Sequence, residues 1–211
     1  MDDTFYRPRR PTLLGPSALQ SYGGVPDPAE LAEAAHATAS ALVEVGRGAA
    51  DAEACDRLVT LMDDVGIDTV AEMWADRPAR SLPGALWRLY ALREWVRVDA
   101  REAAVDFTAG QDVAQVARVV AGAEEPPTPQ ALRALLDSIL GGVFRGDLAV
   151  ALERAGAFCR VVAAGRAYRA DDAEAADPAR ASVLTRRSAS LLRTAEDLEA
   201  AASLWRTADL V

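Results

Sequence analysis

The side chains that most often perform acid–base or nucleophilic chemistry are scarce in this sequence. His36 is the only histidine, and the two cysteines, Cys55 and Cys159, lie far apart in the chain. A catalytic serine or cysteine usually needs a base such as histidine beside it, and the serine often sits in a Gly-x-Ser-x-Gly turn. The sequence contains no such turn. We therefore predict no catalytic residues and favour a non-enzymatic protein.

Two short patterns approach metal-binding motifs but lack the ligands to complete them. Glu33 and His36 have the Glu-x-x-His spacing of metal sites in helical bundles, yet no second pair of this kind exists. The acidic loop at residues 63–68 lacks the alternating oxygen ligands and the final glutamate of a calcium loop. The cysteines form no Cys-x-x-Cys pair, so they indicate neither zinc nor a disulfide framework. We expect no metal and no cofactor.

Three arginines recur at four-residue intervals on one predicted helix: Arg93, Arg97 and Arg101. Like charges at this spacing repel one another unless acidic side chains pair with them. We favour ion pairs that fix the N-terminal helices onto this helix. The alternative is a pocket in which Arg93 or Arg97 holds a carboxylate or phosphate. Aromatic side chains of the same helix would line that pocket: Trp87, Tyr90 and Trp95.

The charge of the chain is negative and unevenly distributed. The 211 residues carry a net charge of −9, and all 23 basic residues are arginines. Residues 27–79 alone account for a net charge of −9, while the rest of the chain is nearly neutral. An acidic surface repels the phosphates of nucleic acid, so we expect no nucleic-acid partner. A basic protein partner would suit this region better.

The first 26 residues differ in composition from the rest. Four prolines and three glycines interrupt this segment, which predicts an extended N-terminal arm over residues 1–26 and a single helical domain over residues 27–211. The segment lacks the apolar run of a signal peptide, and no window reaches the roughly 18 apolar residues of a membrane span. We expect a cytoplasmic protein with no membrane partner.

From Asp27 onward, the sequence signals helices. Asp27-Pro28, Thr128-Pro129 and Asp177-Pro178 combine an N-cap residue with a proline in the first turn. Ser81 predicts the start of a long helix that extends towards Phe107, and Gly141-Gly142 predicts the end of another. Alternating strand patterns are almost absent. The predicted fold is all-α, a bundle of about eight helices.

The last helix carries a heptad pattern with two kinds of residue. Large side chains form one row: Leu184, Leu191, Leu198 and Trp205. Small side chains form the other: Ala181, Ser188, Ala195 and Ala202. Together the two rows form a seam that favours packing against another helix. Antiparallel packing against the preceding helix is the simplest arrangement. The pattern leaves open whether the seam packs within one chain or between two.

Two functional hypotheses follow from these patterns. The preferred one is a non-enzymatic interaction or regulatory protein that associates as a homodimer through the seam or the arm. The alternative is a helical protein that binds a small anionic ligand, or an enzyme acting on one, with the arginines and aromatic side chains named above around its pocket.

Overall fold

The computed structural model describes residues 27–48, 72–122, 128–144 and 148–210. Within these ranges there are seven helices, a further helical stretch that includes residues 72–75, and no strand. The helices are α1 (Pro28–Gly48), α2 (Leu82–Val98), α3 (Ala100–Gly110), α4 (Gln115–Ala121), α5 (Pro129–Phe144), α6 (Leu148–Ala173) and α7 (Pro178–Arg206). The predicted all-α bundle is confirmed. The predicted N-terminal arm and the acidic loop at residues 63–68 lie outside the described residues.

The predicted N-caps stand at the starts of their helices. The Ser81 hydroxyl accepts a hydrogen bond from the backbone N–H of Gly84 at 3.3 Å. The Thr128 hydroxyl accepts one from Ala131 at 3.0 Å, and the Asp177 carboxylate accepts one from the third residue beyond it, also at 3.0 Å. Each bond satisfies an N–H group that the first turn of a helix leaves without a partner. Local capping chemistry therefore fixes where α2, α5 and α7 begin.

Two predicted helix bounds are wrong. The long helix from Ser81 breaks at Asp99, whose N–H donates to Trp95 at 2.9 Å and whose carbonyl accepts from Ala103 at 3.0 Å, so it ends α2 and begins α3. In contrast, α5 continues through the glycine pair and ends at Phe144. A glycine costs only about 1 kcal/mol in a helix interior, so the pair weakens the helix without ending it.

The central helix of the fold is α6. It lies along α7 and also packs against α3, α4 and α5. Its buried side chains include Leu152, Phe158 and Val162, and the Phe158 ring stacks at a tilt on Phe107 of α3 with ring centroids 5.7 Å apart. One cluster of buried apolar side chains runs through all these helices.

The division of the chain into an arm over residues 1–26 and a single domain from residue 27 stays a prediction.

The seam of α7 packs largely within the chain. Six of its eight residues are buried, while Leu191 and Trp205 are partly buried against the core. The Ser188 hydroxyl donates a 2.8 Å hydrogen bond to the carbonyl of Ala163 in α6. Bidentate ion pairs join Arg160 to Glu199 and Glu153 to Arg206. Because residue numbers fall along α6 as they rise along α7, the two helices are antiparallel, as the heptad pattern predicted.

Candidate functional site

A groove of about 600 Å³ lies between α2 and α7, beside an arginine of α6. It is open to solvent, and its size falls within the roughly 300–1,000 Å³ of ligand sites. Its apolar lining includes Trp87, Ala91, Trp95 and Leu191. Its polar lining includes Arg88, Asp99, Arg166, Arg187, Ser190 and Thr194. We call this site the α2–α7 groove.

Arg166 of α6 is the most firmly held side chain of the groove. Its Nε donates a 2.6 Å hydrogen bond to the carboxylate of Asp106, which is fully buried in α3. Its guanidinium carbon lies 4.7 Å from the centre of the Trp95 ring, a cation–π distance. Arg169 also pairs with Asp106. Two guanidinium groups thus share one carboxylate.

The ion pair depends on a close crossing of α3 and α6. Gly110 of α3 and Gly165 of α6 face the backbone of the opposite helix, and a Cβ atom on Gly165 would overlap with the Asp106 carbonyl. A Cβ atom on Gly110 would likewise overlap with the carbonyl of Val161. Glycine is the residue that allows backbones to approach this closely. The short separation places the Asp106 carboxylate within reach of α6.

Arg88 supplies a second cation on the α2 wall. Its guanidinium donates a 2.9 Å hydrogen bond to the Gly84 carbonyl and lies 3.5 Å from the Asp197 carboxylate of α7. Arg80 approaches the same carboxylate at 3.6 Å. All three side chains keep some contact with solvent, so these pairs hold geometry more than they add stability. Asp197 therefore links α2 to α7 next to the groove.

The α7 wall carries a cation of a different kind. Arg187 is exposed and has no ion pair with any residue in the described part of the chain. Towards the C-terminus of the same helix, Ser190 and Thr194 add hydroxyl groups to this wall. The Thr194 hydroxyl donates a 3.1 Å hydrogen bond to the Ser190 carbonyl. A guanidinium whose donors face solvent is available to a carboxylate or phosphate. Arg187 is the groove residue best placed to receive an anion.

Acidic side chains stand at the α2–α3 break. Asp99 lines the groove, and Glu102 follows one turn later in α3. Burial raises the pKa of the Glu102 carboxyl above its ordinary value. A hydrogen bond to Asp99 and the negative charges of Asp99 and Asp106 raise it further, while Arg166 opposes them. The carboxyl groups of Glu102 and Asp99 are therefore hydrogen-bond neighbours at this end of the groove.

The sequence-predicted pocket residues are distributed over several places. Trp87 lines the groove, and Tyr90 is buried beside it with ring centroids 6.0 Å apart. Arg93 is buried and pairs with Asp137 of α5 at 2.7 Å and with its neighbour Glu94 at 3.1 Å. Arg97 also pairs with Glu94, at 2.9 Å. Arg101 borders a separate hollow with Val105 and Pro129. Ligand binding by these residues stays a prediction.

Two of the three stripe arginines form ion pairs, Arg93 with Glu94 and Asp137 and Arg97 with Glu94, and Arg101 forms none among the described residues. Arg93 contacts α5, and Arg133 of α5 donates a 3.0 Å hydrogen bond to the carbonyl of Arg97. We expected these contacts to come from the N-terminal helices. Sequence reasoning also missed Arg88, Arg166 and Arg187 as a set. Their positions in three separate helices give no local signal that they meet.

The histidine and the buried cysteine lie outside the groove. His36 is half-buried in α1, and Cys159 is a fully buried free thiol in α6. Burial and the nearby Glu199 raise the pKa of the Cys159 thiol to about 12, so the nucleophilic thiolate is disfavoured at neutral pH. Among the described residues, no group of three or more histidine, cysteine or acidic side chains is arranged to hold a metal ion.

In the described ranges, no helix is both long and apolar enough to cross a bilayer. The chain matches no protein-family model, no curated protein and no solved structure.

Proposed function

We propose that this chain is a non-enzymatic binding protein whose α2–α7 groove takes an anionic ligand with an apolar part. The observation that carries the proposal is the exposed Arg187, which has no ion pair among the described residues and lines the same groove as Trp87 and Trp95. A cation beside two partly exposed indole rings suits a ligand that combines a carboxylate or phosphate with an aromatic or aliphatic body.

The local charge supports an anion rather than a cation. Arg88, Arg166 and Arg187 line the groove, whereas Asp99 is the acidic residue in its lining. The whole chain carries a net charge of −9. Because Arg88 and Arg166 have carboxylate partners, Arg187 is the arginine that favours an anionic ligand, while the overall negative field weakens non-specific binding of anions elsewhere.

A pair of probes with one ring system and opposite charges tests this proposal. We expect indole-3-acetate to raise the midpoint of thermal unfolding and tryptamine to leave it unchanged, because only the first offers a carboxylate. Arg187→Gln should weaken binding of indole-3-acetate by about tenfold, which corresponds to about 1.4 kcal/mol. Isothermal titration calorimetry measures this change directly.

Arg186→Gln is the matched control. Arg186 is the neighbouring residue of α7, is also exposed, and borders a different hollow beside the α6–α7 turn. Its replacement removes the same charge from the same helix and should leave the affinity unchanged. Equal shifts from both probes, or equal losses in both variants, would contradict a groove that selects anions.

Self-association is a second candidate function, supported by a different surface. Val98 is 82% exposed and Val105 is 48% exposed. A largely apolar hollow of about 490 Å³ adjoins Val105 and is bordered by Ala104, Thr108 and Pro129. A contiguous exposed apolar surface, such as the one formed by this hollow and Val105, is typical of protein interfaces. The seam of α7 supports a homodimer less, because most of it already packs against α6.

Sedimentation at micromolar concentration tests the second candidate. We expect a dimer that Val105→Asp converts to a monomer and that Val119→Asp, at an exposed position of α4, leaves intact. A monomer at all concentrations would rule this candidate out.

The cytoplasm remains the proposed compartment, which the free thiol of Cys159 supports. The absence of a nucleic-acid partner stays a prediction.

A further inference from the structure

The α2–α7 groove is elongated along α2. Its lining runs from Trp87 to Asp99, and twelve residues of helix rise by about 18 Å at 1.5 Å per residue. Pockets for small molecules usually enclose 70–90% of the ligand surface. An open groove of this length leaves a small ligand largely exposed but matches about three turns of a helix. Its dimensions therefore favour a peptide segment.

The apolar lining has the periodicity of a helix-docking surface. Trp87, Ala91 and Trp95 are spaced four residues apart on α2, so they form one strip along its surface. Leu191 of α7 contributes from the opposite wall. All four side chains are partly exposed. A small alanine between two large rings creates a notch that accepts an apolar side chain from a packed helix.

Cations stand on both walls of this strip. Arg88 is on α2, and Arg187 is on α7, where Ser190 and Thr194 add hydroxyl groups. An amphipathic helix that lays its apolar face on the strip would present its flanking residues to these two walls. Acidic flanks match the arginines by charge, and basic flanks would be repelled.

We propose that the occupant of the α2–α7 groove is an amphipathic helical segment of a partner protein, with an apolar face and acidic residues along its flanks. This inference rests on the proposed function, since it names the ligand class of the same groove. The two proposals differ because the helical occupant must be a peptide with a patterned surface, whereas the proposed function accepts any anion with an apolar part.

The test uses the full chain and a set of labelled peptides of about 16 residues, long enough for four helical turns. The patterned peptide has leucine or phenylalanine at helical spacing and glutamate on its flanks, on an alanine scaffold. A scrambled peptide has the same composition. We expect fluorescence anisotropy to show at least tenfold tighter binding of the patterned peptide, with affinity that falls as salt is raised. We also expect circular dichroism to show a gain of helix on binding.

Two substitutions at one position locate the binding site. Ala91→Glu and Ala91→Lys place long side chains of opposite charge in the middle of the apolar strip, on a helix that both residues favour. We expect Ala91→Glu to bind the patterned peptide at least tenfold more weakly than Ala91→Lys. Far-ultraviolet circular dichroism and the unfolding midpoint verify that both variants fold.

The outcomes separate this inference from the proposed function. Equal binding of patterned and scrambled peptides, or equal binding by the two Ala91 variants, overturns the helical occupant. Binding of indole-3-acetate without binding of the patterned peptide also overturns it and leaves the proposed function standing. If neither probe binds, both proposals fall.

Discussion

At Asp106, two arginines share one carboxylate from which solvent is excluded. The side chain is fully buried, while Arg166 and Arg169 reach it from α6. Burying a charge costs several kcal/mol, and this cost is offset only while its partners remain in place. Loss of the carboxylate leaves two guanidinium groups facing each other in a poorly solvated corner. The residue therefore controls both the α3–α6 contact and the position of Arg166 in the groove.

Asp106→Asn should lower the free energy of unfolding by about 3–5 kcal/mol, because it removes the charge and leaves both arginines without their partner. Urea denaturation measures the loss. Glu153→Gln is the matched control, since it breaks a bidentate pair with Arg206 that is partly exposed and should cost no more than about 1 kcal/mol. Similar losses in the two variants would show that burial does not set the cost.

Glu102 should make stability depend on pH in an unusual direction for a carboxylic acid. Its pKa is raised above the ordinary value of 4.5, so the folded chain holds this proton more tightly than the unfolded chain. The stability contribution of Glu102 is therefore present below pH 4.5 and is lost as the pH rises through the raised pKa. Glu102→Gln should gain stability relative to the parent as the pH is raised from 4 to 7, the range around that ordinary value.

The control for this prediction has the opposite sign. Arg206 lowers the pKa of Glu153, so that carboxylate contributes stability above its unfolded pKa and loses it in acid. Glu153→Gln should therefore lose stability relative to the parent over the same rise in pH. Urea titrations at several pH values measure both differences. Parallel curves for Glu102→Gln and the parent would refute the raised pKa.

At the scale of elements, the crossing of α3 and α6 depends on direct backbone contact as well as on side-chain packing. Gly165→Ala places a methyl group where the Asp106 carbonyl stands, so the two helices must separate. We expect urea denaturation to show that the free energy of unfolding falls by about 1–3 kcal/mol or more, as in other overpacked cores.

Gly156→Ala is the matched control for this crossing. Gly156 lies in the same helix, but its added Cβ would be 3.1 Å from the flexible Glu199 side chain and 3.3 Å from the Ala195 carbonyl. A small shift relieves these contacts, and alanine gains about 1 kcal/mol of helix propensity over glycine. The variant should be close to neutral. A loss as large as that of Gly165→Ala would show that the two crossings are equally tight.

The sequence predicted the helices better than it predicted their ends. Ser81 and Asp177 cap their helices through bonds to residues three positions ahead, and such local chemistry is readable without a fold. No glycine or proline signals the break at Asp99 in the sequence. We therefore attribute the break to how α2 and α3 pack on other helices. The α2–α7 groove was less predictable still, since Arg88, Arg166 and Arg187 meet only through tertiary packing.

At the scale of the whole molecule, stability should be concentrated around α6. This helix contacts five others, α2, α3, α4, α5 and α7, whereas the short α4 exposes Val119 and Val120. Amide hydrogen exchange should be slowest near Phe158 and much faster in α4, because exchange in the centre requires the largest opening. Mass spectrometry of peptic fragments measures this order. Equal protection of α4 and α6 would contradict a bundle organised around α6.

The position of Cys159 has a practical consequence for following such openings. Its sulfur has no contact with water, so an alkylating reagent can modify it only after the surrounding helices separate. In a Cys55→Ser background, the rate at which iodoacetamide modifies Cys159 would measure how often the interior opens. A ligand bound in the groove would lower this rate, so the rate would report ligand binding without an added dye.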